Sequence, residues 1–121
     1  MNAVVDTNIL IDYLNGSPDA RRELDSFETI YISPISWMEI LAGAGDDEEE
    51  LEIRQFLRRF RVHPVDERVA ERAVEIQRRD KVRLPDAIIC ATAQQLGLLL
   101  VTRHTRNFPA NHPGVRIPYS I

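Results

Sequence analysis

Cysteine is all but missing from this chain. Cys90 stands alone, so no internal disulfide can form, and a cytoplasmic location is the expectation. Its place in an apolar, helix-like stretch marks it as a small buried hydrophobe. Lysine is as scarce: Lys81 is single, and every other cationic side chain is arginine apart from the histidines. No apolar run approaches the roughly 20 residues that span a bilayer, so no membrane segment is expected. Met1-Asn2-Ala3 lacks the positive region and apolar stretch of a secretory leader, and none is expected. An excess of positive charge is missing too. The net charge of −4 denies the chain as a whole a basic footprint for nucleic acid. Internal repeats and low-complexity linkers are absent, and 121 residues fit one domain spanning 1–121.

What is present is an ordinary globular composition, 44% hydrophobic and 28% charged. The charge is uneven. Asp46-Asp47-Glu48-Glu49-Glu50 is an acid run, read as the solvated start of a helix or, more sharply, as a contact for a basic partner segment. Arg58-Arg59-Phe60-Arg61 and Arg78-Arg79-Asp80-Lys81-Val82-Arg83 are basic clusters. A local basic rim could serve RNA, but the sequence cannot place either cluster on one face.

Strand and helix patterns alternate along the chain. Residues 3–5 read as a buried strand, Thr7 to Leu14 as a helix, and Pro18 to about Phe27 as another. Thr29 to Ile32 alternates as a strand should. Ser33-Pro34 is an N-cap followed by proline at the first helical position, opening a helix that ends at Gly43 or Gly45. Ile53, Phe56, Leu57 and Phe60 form a core-facing stripe. Arg61 to Val65 is a short strand. Asp66 caps a helix whose Val69, Ala70, Ala73, Val74 and Ile76 face inward. Pro85 starts a central helix that Gly97 ends, Leu98 to Thr102 is a strand buried on both faces, and Val115 to Pro118 is an edge strand. This pattern predicts an α/β fold: an α/β/α sandwich around a mostly parallel sheet of four or five strands.

Three acids lie beside apolar runs. Asp6 closes Ala3-Val4-Val5, Glu39 sits within Pro34 to Leu41, and Asp86 opens a stretch running to Ala91. A carboxylate in apolar surroundings must be paired, hydrogen-bonded, protonated or bound to a metal. Singly, Asp6 could be a strand-end cap, Glu39 a solvated helix residue and Asp86 a first-turn acid. Together they suggest one shared cation. Two like charges 4 Å apart repel by roughly 4 kcal/mol at an effective dielectric of 20, and an oxygen-only donor set selects Mg²⁺ or Mn²⁺ over Zn²⁺. Ligands of open parallel sheets bind beyond the carboxyl ends of the strands. Asp6 and Thr102 both follow strands directly.

The local sequences around these acids resemble a known family. Val5-Asp6-Thr7-Asn8-Ile9-Leu10-Ile11-Asp12-Tyr13-Leu14 resembles the opening of PIN-domain proteins. Ser36-Trp37-Met38-Glu39-Ile40-Leu41 resembles their second motif, Leu84-Pro85-Asp86-Ala87-Ile88-Ile89-Cys90-Ala91-Thr92-Ala93 the third, and Leu100-Val101-Thr102-Arg103-His104-Thr105-Arg106-Asn107-Phe108 the fourth. All four occur in order, and the resemblance runs from residue 2 to about 118. Size and build are similar to VapC-type toxins of bacterial toxin–antitoxin pairs.

The resemblance implies a PIN-like sandwich and a Mg²⁺- or Mn²⁺-dependent ribonuclease acting on RNA, with tRNA or rRNA loops as the substrate class. Asp6, Glu39 and Asp86 would be catalytic. Asp6 and Asp86 would hold the metal, with Glu39 binding through water or helping to activate the nucleophile. Thr7, Asn8, Ser36 and Thr102 would support them, and Arg103 and Arg106 are candidate substrate contacts. The family also implies a homodimer and a cognate antitoxin that wraps the toxin into a hetero-oligomer, with DNA reached only through the antitoxin. One departure stands out. Where the fourth motif usually offers an acid or asparagine and then another acid, this chain has His104 and Asn107, each able to contact metal or water but neither anionic. That departure motivates the alternative of a non-catalytic RNA- or protein-binding module. A haloacid-dehalogenase-like enzyme would want an aspartate where Asn8 stands. His63 and His112 read as structural or solvent-exposed, and Trp37 as core or dimer interface rather than a base-stacking platform.

Overall fold

The computed structural model describes residues 1–103 and 114–120. Five short strands, β1 (Asn2–Val5), β2 (Thr29–Ile32), β3 (Arg61–Val62), β4 (Leu99–Val101) and β5 (Val115–Arg116), make one sheet in the order β3-β2-β1-β4-β5. Every pairing is parallel, so the mostly parallel sheet expected from the sequence is wholly parallel among the described residues. Between the strands run α1 (Thr7–Leu14), α2 (Pro18–Asp25), α3 (Pro34–Ala42), α4 (Asp47–Leu57), α5 (Glu67–Asp80) and α6 (Leu84–Leu96).

The two faces of the sheet carry separate cores, as strand pleating demands. Ala3, Val5, Ile32 and Val101 pack with Ile9 and Leu10 of α1, Leu24 of α2, Ile40 of α3 and Phe56 of α4. Val4 and Leu100, one residue out of phase, pack with Val69, Ala73 and Ile76 of α5 and with Ala87 and Ile89 of α6. The result is the three-layer α/β/α sandwich.

Local chemistry starts most of the helices. Asp6, Ser17, Ser33, Asp46 and Asp66 each accept a backbone N–H of the following turn through a side-chain oxygen, a cap worth about 1 kcal/mol. α6 has no side-chain cap and uses proline in its first turn instead. Gly97 ends it in the left-handed region, with φ 67°, which glycine adopts without steric cost.

α2 stops at Asp25, short of Phe27, which packs against the first core instead. β3 covers only two residues, because Pro64 has no N–H to extend the ladder. Ala70 and Val74 of α5 are exposed rather than inward. That helix buries the narrower stripe Val69, Ala73, Ile76, spaced i, i+4, i+7.

Topology places the site. From β1 the chain moves outward through β2 to β3 on one side, then returns through α5 and α6 to β4 on the other side of β1. The strand order therefore reverses between β1 and β4, the place beyond the carboxyl ends where open parallel sheets bind ligands. In register, Val5 stands beside Val101, so the next step sets Asp6 beside Thr102. α6 turns into β4 through Gly97 and packs back against β1 and β4, which brings its first turn to the same edge.

Candidate active site

Asp6 is only 3% exposed. Its backbone N–H still follows the sheet, donating to the Val101 carbonyl at 2.9 Å. Its side chain is fixed from two sides. Oδ1 accepts the Thr7 N–H at 2.7 Å, and Oδ2 accepts the Thr102 hydroxyl at 2.7 Å. Asn8 Nδ2 donates to Thr102 Oγ1 at 3.2 Å and lies 3.4 Å from the same Asp6 oxygen. The Asn8 carbonyl oxygen accepts the Arg103 N–H at 3.4 Å, which settles the orientation of its amide. Hydrogen bonds from two sides leave the carboxylate little rotational freedom.

A second chain runs from Asp6 toward Glu39. The Thr7 hydroxyl lies 2.8 Å from Ser36 Oγ and 2.9 Å from Glu39 Oε1. It has one proton, and an ionised carboxylate only accepts. The consistent arrangement has Ser36 donating to Thr7 and Thr7 donating to Glu39. Ser33, the N-cap of α3, sets the start of the helix that carries both Ser36 and Glu39.

The three acids differ in depth. Asp6 is buried, Asp86 half-buried in the first turn of α6, and Glu39 exposed. The apolar run around Glu39 belongs to the other face of α3, where Ile40 is buried, while Glu39 itself stands at the mouth. Thr7, Asn8, Ser36 and Thr102, the four supporting residues expected from the sequence, are all buried, and each hydrogen-bonds within this network. Among the described residues, no three His, Cys, Asp or Glu side chains stand close enough together to hold an ion. His104, Asn107 and Arg106, offered above as metal or substrate contacts, and Phe108 and His112 lie outside the described residues. The donor chemistry fits a hard divalent cation: oxygen-only carboxylates, one buried and oriented, one at a helix N-terminus.

Arg103 takes a role that the sequence did not disclose. Its guanidinium is bound bidentately by Asp12, with Nε to Oδ2 at 2.6 Å and Nη2 to Oδ1 at 2.9 Å. Tyr119 donates its hydroxyl to Asp12 Oδ2 at 2.8 Å. The hydrogen bond from Arg103 holds the Asp12 carboxyl below the ordinary carboxylate range against the opposing effect of burial. Burial, then the Asp12 contact, raises the Tyr119 hydroxyl. The pair ties α1 to the chain leaving β4, next to the Asn8–Thr102 network. Two of the Arg103 guanidinium nitrogens are thus committed to Asp12. A similar bidentate pair, Arg116 to Glu23 at 2.6 and 3.0 Å, ties β5 to α2. Cross-chain pairs of this sort leave no local pattern, and only the apolar neighbours of Asp12 hinted that it is buried.

The other side chains singled out above are structural. Burial pushes the Cys90 thiol up to about 11, so it stays protonated and inert. Trp37 is half-buried on the first core, with the Arg54 guanidinium 5.8 Å from its ring centroid. His63 is half-buried beside Asp66.

A doubly wound parallel α/β protein with a hydrogen-bonded acid at its switch point is the class that fold and site define. The chain belongs to the PIN domain family, whose profile matches residues 3–110. It is 34% identical over 114 residues to ribonuclease VapC10 of Mycobacterium tuberculosis, covering 88% of this chain and 85% of that protein. Its fold superimposes on a toxin–antitoxin complex from Klebsiella pneumoniae with a TM-score of 0.92 and 42% identity, covering 98% and 99% of the two chains. A DNA-bound VapBC from Salmonella typhimurium gives a TM-score of 0.78 at 27% identity, over 99% and 98%.

Proposed function

We propose that this chain is a metal-dependent endoribonuclease, the toxin of a bacterial toxin–antitoxin module, hydrolysing phosphodiester bonds in tRNA or rRNA. The observation that carries the reading is the Thr102–Asp6–Thr7–Glu39 chain. It couples a buried, oriented carboxylate to an exposed one at the sheet's switch point. Asp6 and Asp86 would hold Mg²⁺ or Mn²⁺, with Glu39 in reach through water. When bound, the cation supplies polarisation of the phosphodiester and a lower pKa for bound water.

The side chains do the rest. Thr102 and Asn8 hold Asp6 in one rotamer. Thr7 engages one oxygen of Glu39, and the other accepts no hydrogen bond among the described residues. That oxygen is free to orient a water and take one of its protons as the water attacks phosphorus; the P–O bond to the leaving ribose oxygen breaks, and that oxygen is protonated from solvent. Ser36 fixes the Thr7 hydroxyl, so Glu39 is turned by α3 and α1 together.

The antitoxin partner has a place to sit. A cavity between α1, α3 and α4 is lined by Ile11, Leu14, Ile40 and Ile53, with Glu39 and Glu49 at its edge. An apolar segment carrying a basic residue would cover the groove and meet Glu39, blocking the site. The proposed homodimer would draw on exposed Val62, Val65 and Val74. The relatives' toxin–antitoxin complexes support a hetero-oligomer, and this chain's net charge of −4 favours contact with DNA through the antitoxin. No described helix is long and apolar enough to cross a membrane. A cytoplasmic location belongs to the proposal and rests on the toxin reading.

Incubating antitoxin-free protein with tRNA and rRNA fragments tests the reading. Cleavage should require Mg²⁺ or Mn²⁺, stop with a chelator and return when metal is restored. Equal cleavage in a chelator, or none with either metal, would overturn it.

A further inference from the structure

We infer that the α5–α6 turn is the phosphate-binding rim of the active site, with Arg78, Lys81 and Arg83 receiving the backbone of single-stranded RNA beside Asp86. This rests on the ribonuclease reading and adds where the substrate lies. The sequence showed the basic cluster but no face for it. The fold supplies one: only Lys81, Val82 and Arg83 separate α5 from α6, and Asp86 is in the first turn of α6. Three helical residues rise roughly 5 Å along the axis, so Arg83 and Asp86 are close neighbours.

The turn is anchored. Val82 is buried in the second core while both of its neighbours are exposed. Lys81 is the one non-glycine residue with positive φ among those described, at φ 59° and ψ 29°. Helices that end this way usually use glycine or asparagine there, because an L side chain in that region crowds its own backbone. The chain's single lysine occupies this unfavourable position at the edge of the site.

The cations are available. Arg78, Lys81 and Arg83 are exposed, and among the described residues none meets a carboxylate. Arg79 differs, since Asp80 binds it bidentately at 3.0 Å. Arg83 contributes only its backbone to the start of α6, its carbonyl accepting Ala87 N–H at 2.9 Å. α6 packs along α5 and against β1, the strand that ends in Asp6. An acidic chain that must attract a polyanion needs a local positive rim, because counterion release at phosphates supplies most of the non-specific affinity. A single strand fits better than a duplex. The reacting phosphate must reach toward a carboxylate 3% exposed, and an unpaired strand can bend inward where an A-form helix cannot.

The test compares antitoxin-free wild type, the triple variant Arg78→Gln/Lys81→Gln/Arg83→Gln, and a control, Arg58→Gln/Arg61→Gln, at the other basic cluster. A fluorescein-labelled single-stranded RNA reports binding by anisotropy at several salt concentrations, and cleavage gives kcat and KM. The triple variant should raise KM about tenfold or more with kcat little changed. It should flatten the log–log salt slope by about 2, at about 0.7 per contact. Mn²⁺ affinity should stay the same, and the control should match wild type. An unchanged KM and slope in the triple variant, or an equal loss in the control, would overturn the inference. So would a fall in kcat with KM intact, which would make the turn a support for Asp86. Lys81→Gly relieves the backbone and serves if the triple variant does not fold; it should show about a third of the slope change, and none would count against the rim. A wild type that neither cuts nor binds RNA fails the ribonuclease reading itself, and the inference with it.

Discussion

Replacing Asp6 with Asn should abolish RNA cleavage, lowering kcat by roughly a thousandfold or more, while the protein stays folded. The size follows from losing one charged metal contact, worth several kcal/mol in the transition state, at a factor of ten per 1.36 kcal/mol. Asparagine is the informative choice because it keeps the shape. Its oxygen can still accept the Thr7 N–H, so the α1 cap survives. Its amide nitrogen must then face Thr102, which now donates to Asp6 at 2.7 Å and would have to reverse. Burying a neutral group instead of a charge costs less, so thermal stability should hold or rise. Cleavage assayed beside a melting curve checks both halves. Retained activity would remove Asp6 from the chemistry, and loss of the fold would make it a cap only.

Asp12→Ala should be the most destabilising change outside the apolar core. It strands Arg103 and Tyr119 together, and losing one partner of a buried ion pair leaves the other poorly compensated. Arg103 retains 28% exposure, so about 2–3 kcal/mol is expected rather than the full cost of a dry pair, and a melting temperature roughly 10 °C lower. The effect depends on pH with a definite sign. The Asp12 carboxyl is held below its ordinary value in the folded state. Its contribution is therefore complete above about pH 4, the unfolded value, and declines as pH falls through the folded value. The gap between wild type and Asp12→Ala should be full at pH 7 and narrow below about pH 4. Denaturant titrations at both pH values check this, and a gap that does not change with pH would mean that packing, not charge, is what Asp12 supplies.

Much of this architecture could be read from residue order because its causes are local. Ser33-Pro34, Asp66 and Gly97 act within one turn of their own position, and the helices start or stop where they predict. The apolar stretches at 3–5 and 99–101 become central strands for the same reason. Asp6, Thr7, Asn8, Ser36 and Thr102, grouped from the sequence, are joined by hydrogen bonds in the fold. What could not be read depends on distant partners. Asp12 and Arg103 are 91 residues apart, and Glu23 and Arg116 are 93 apart. Neither pair has a periodicity to reveal it. Glu39 misled for a related reason. Its neighbours are apolar because α3 contacts α1, α4 and α6, and that crowding says little about the one face left open at the mouth. On α5 the buried stripe is narrower than composition suggests, since Ala70 and Val74 are apolar but out of phase with it.

Calorimetric titration of Mn²⁺ into the antitoxin-free protein, wild type beside Asp86→Asn, addresses the carboxylate centre most directly. Saturable binding to wild type, weakened at least tenfold by removing one negative oxygen from the first turn of α6, is the predicted result. Removing even a group that only orients a metal ligand typically costs 10–100-fold. No saturable uptake by wild type, or identical isotherms for the two proteins, would contradict a shared cation between Asp6 and Asp86.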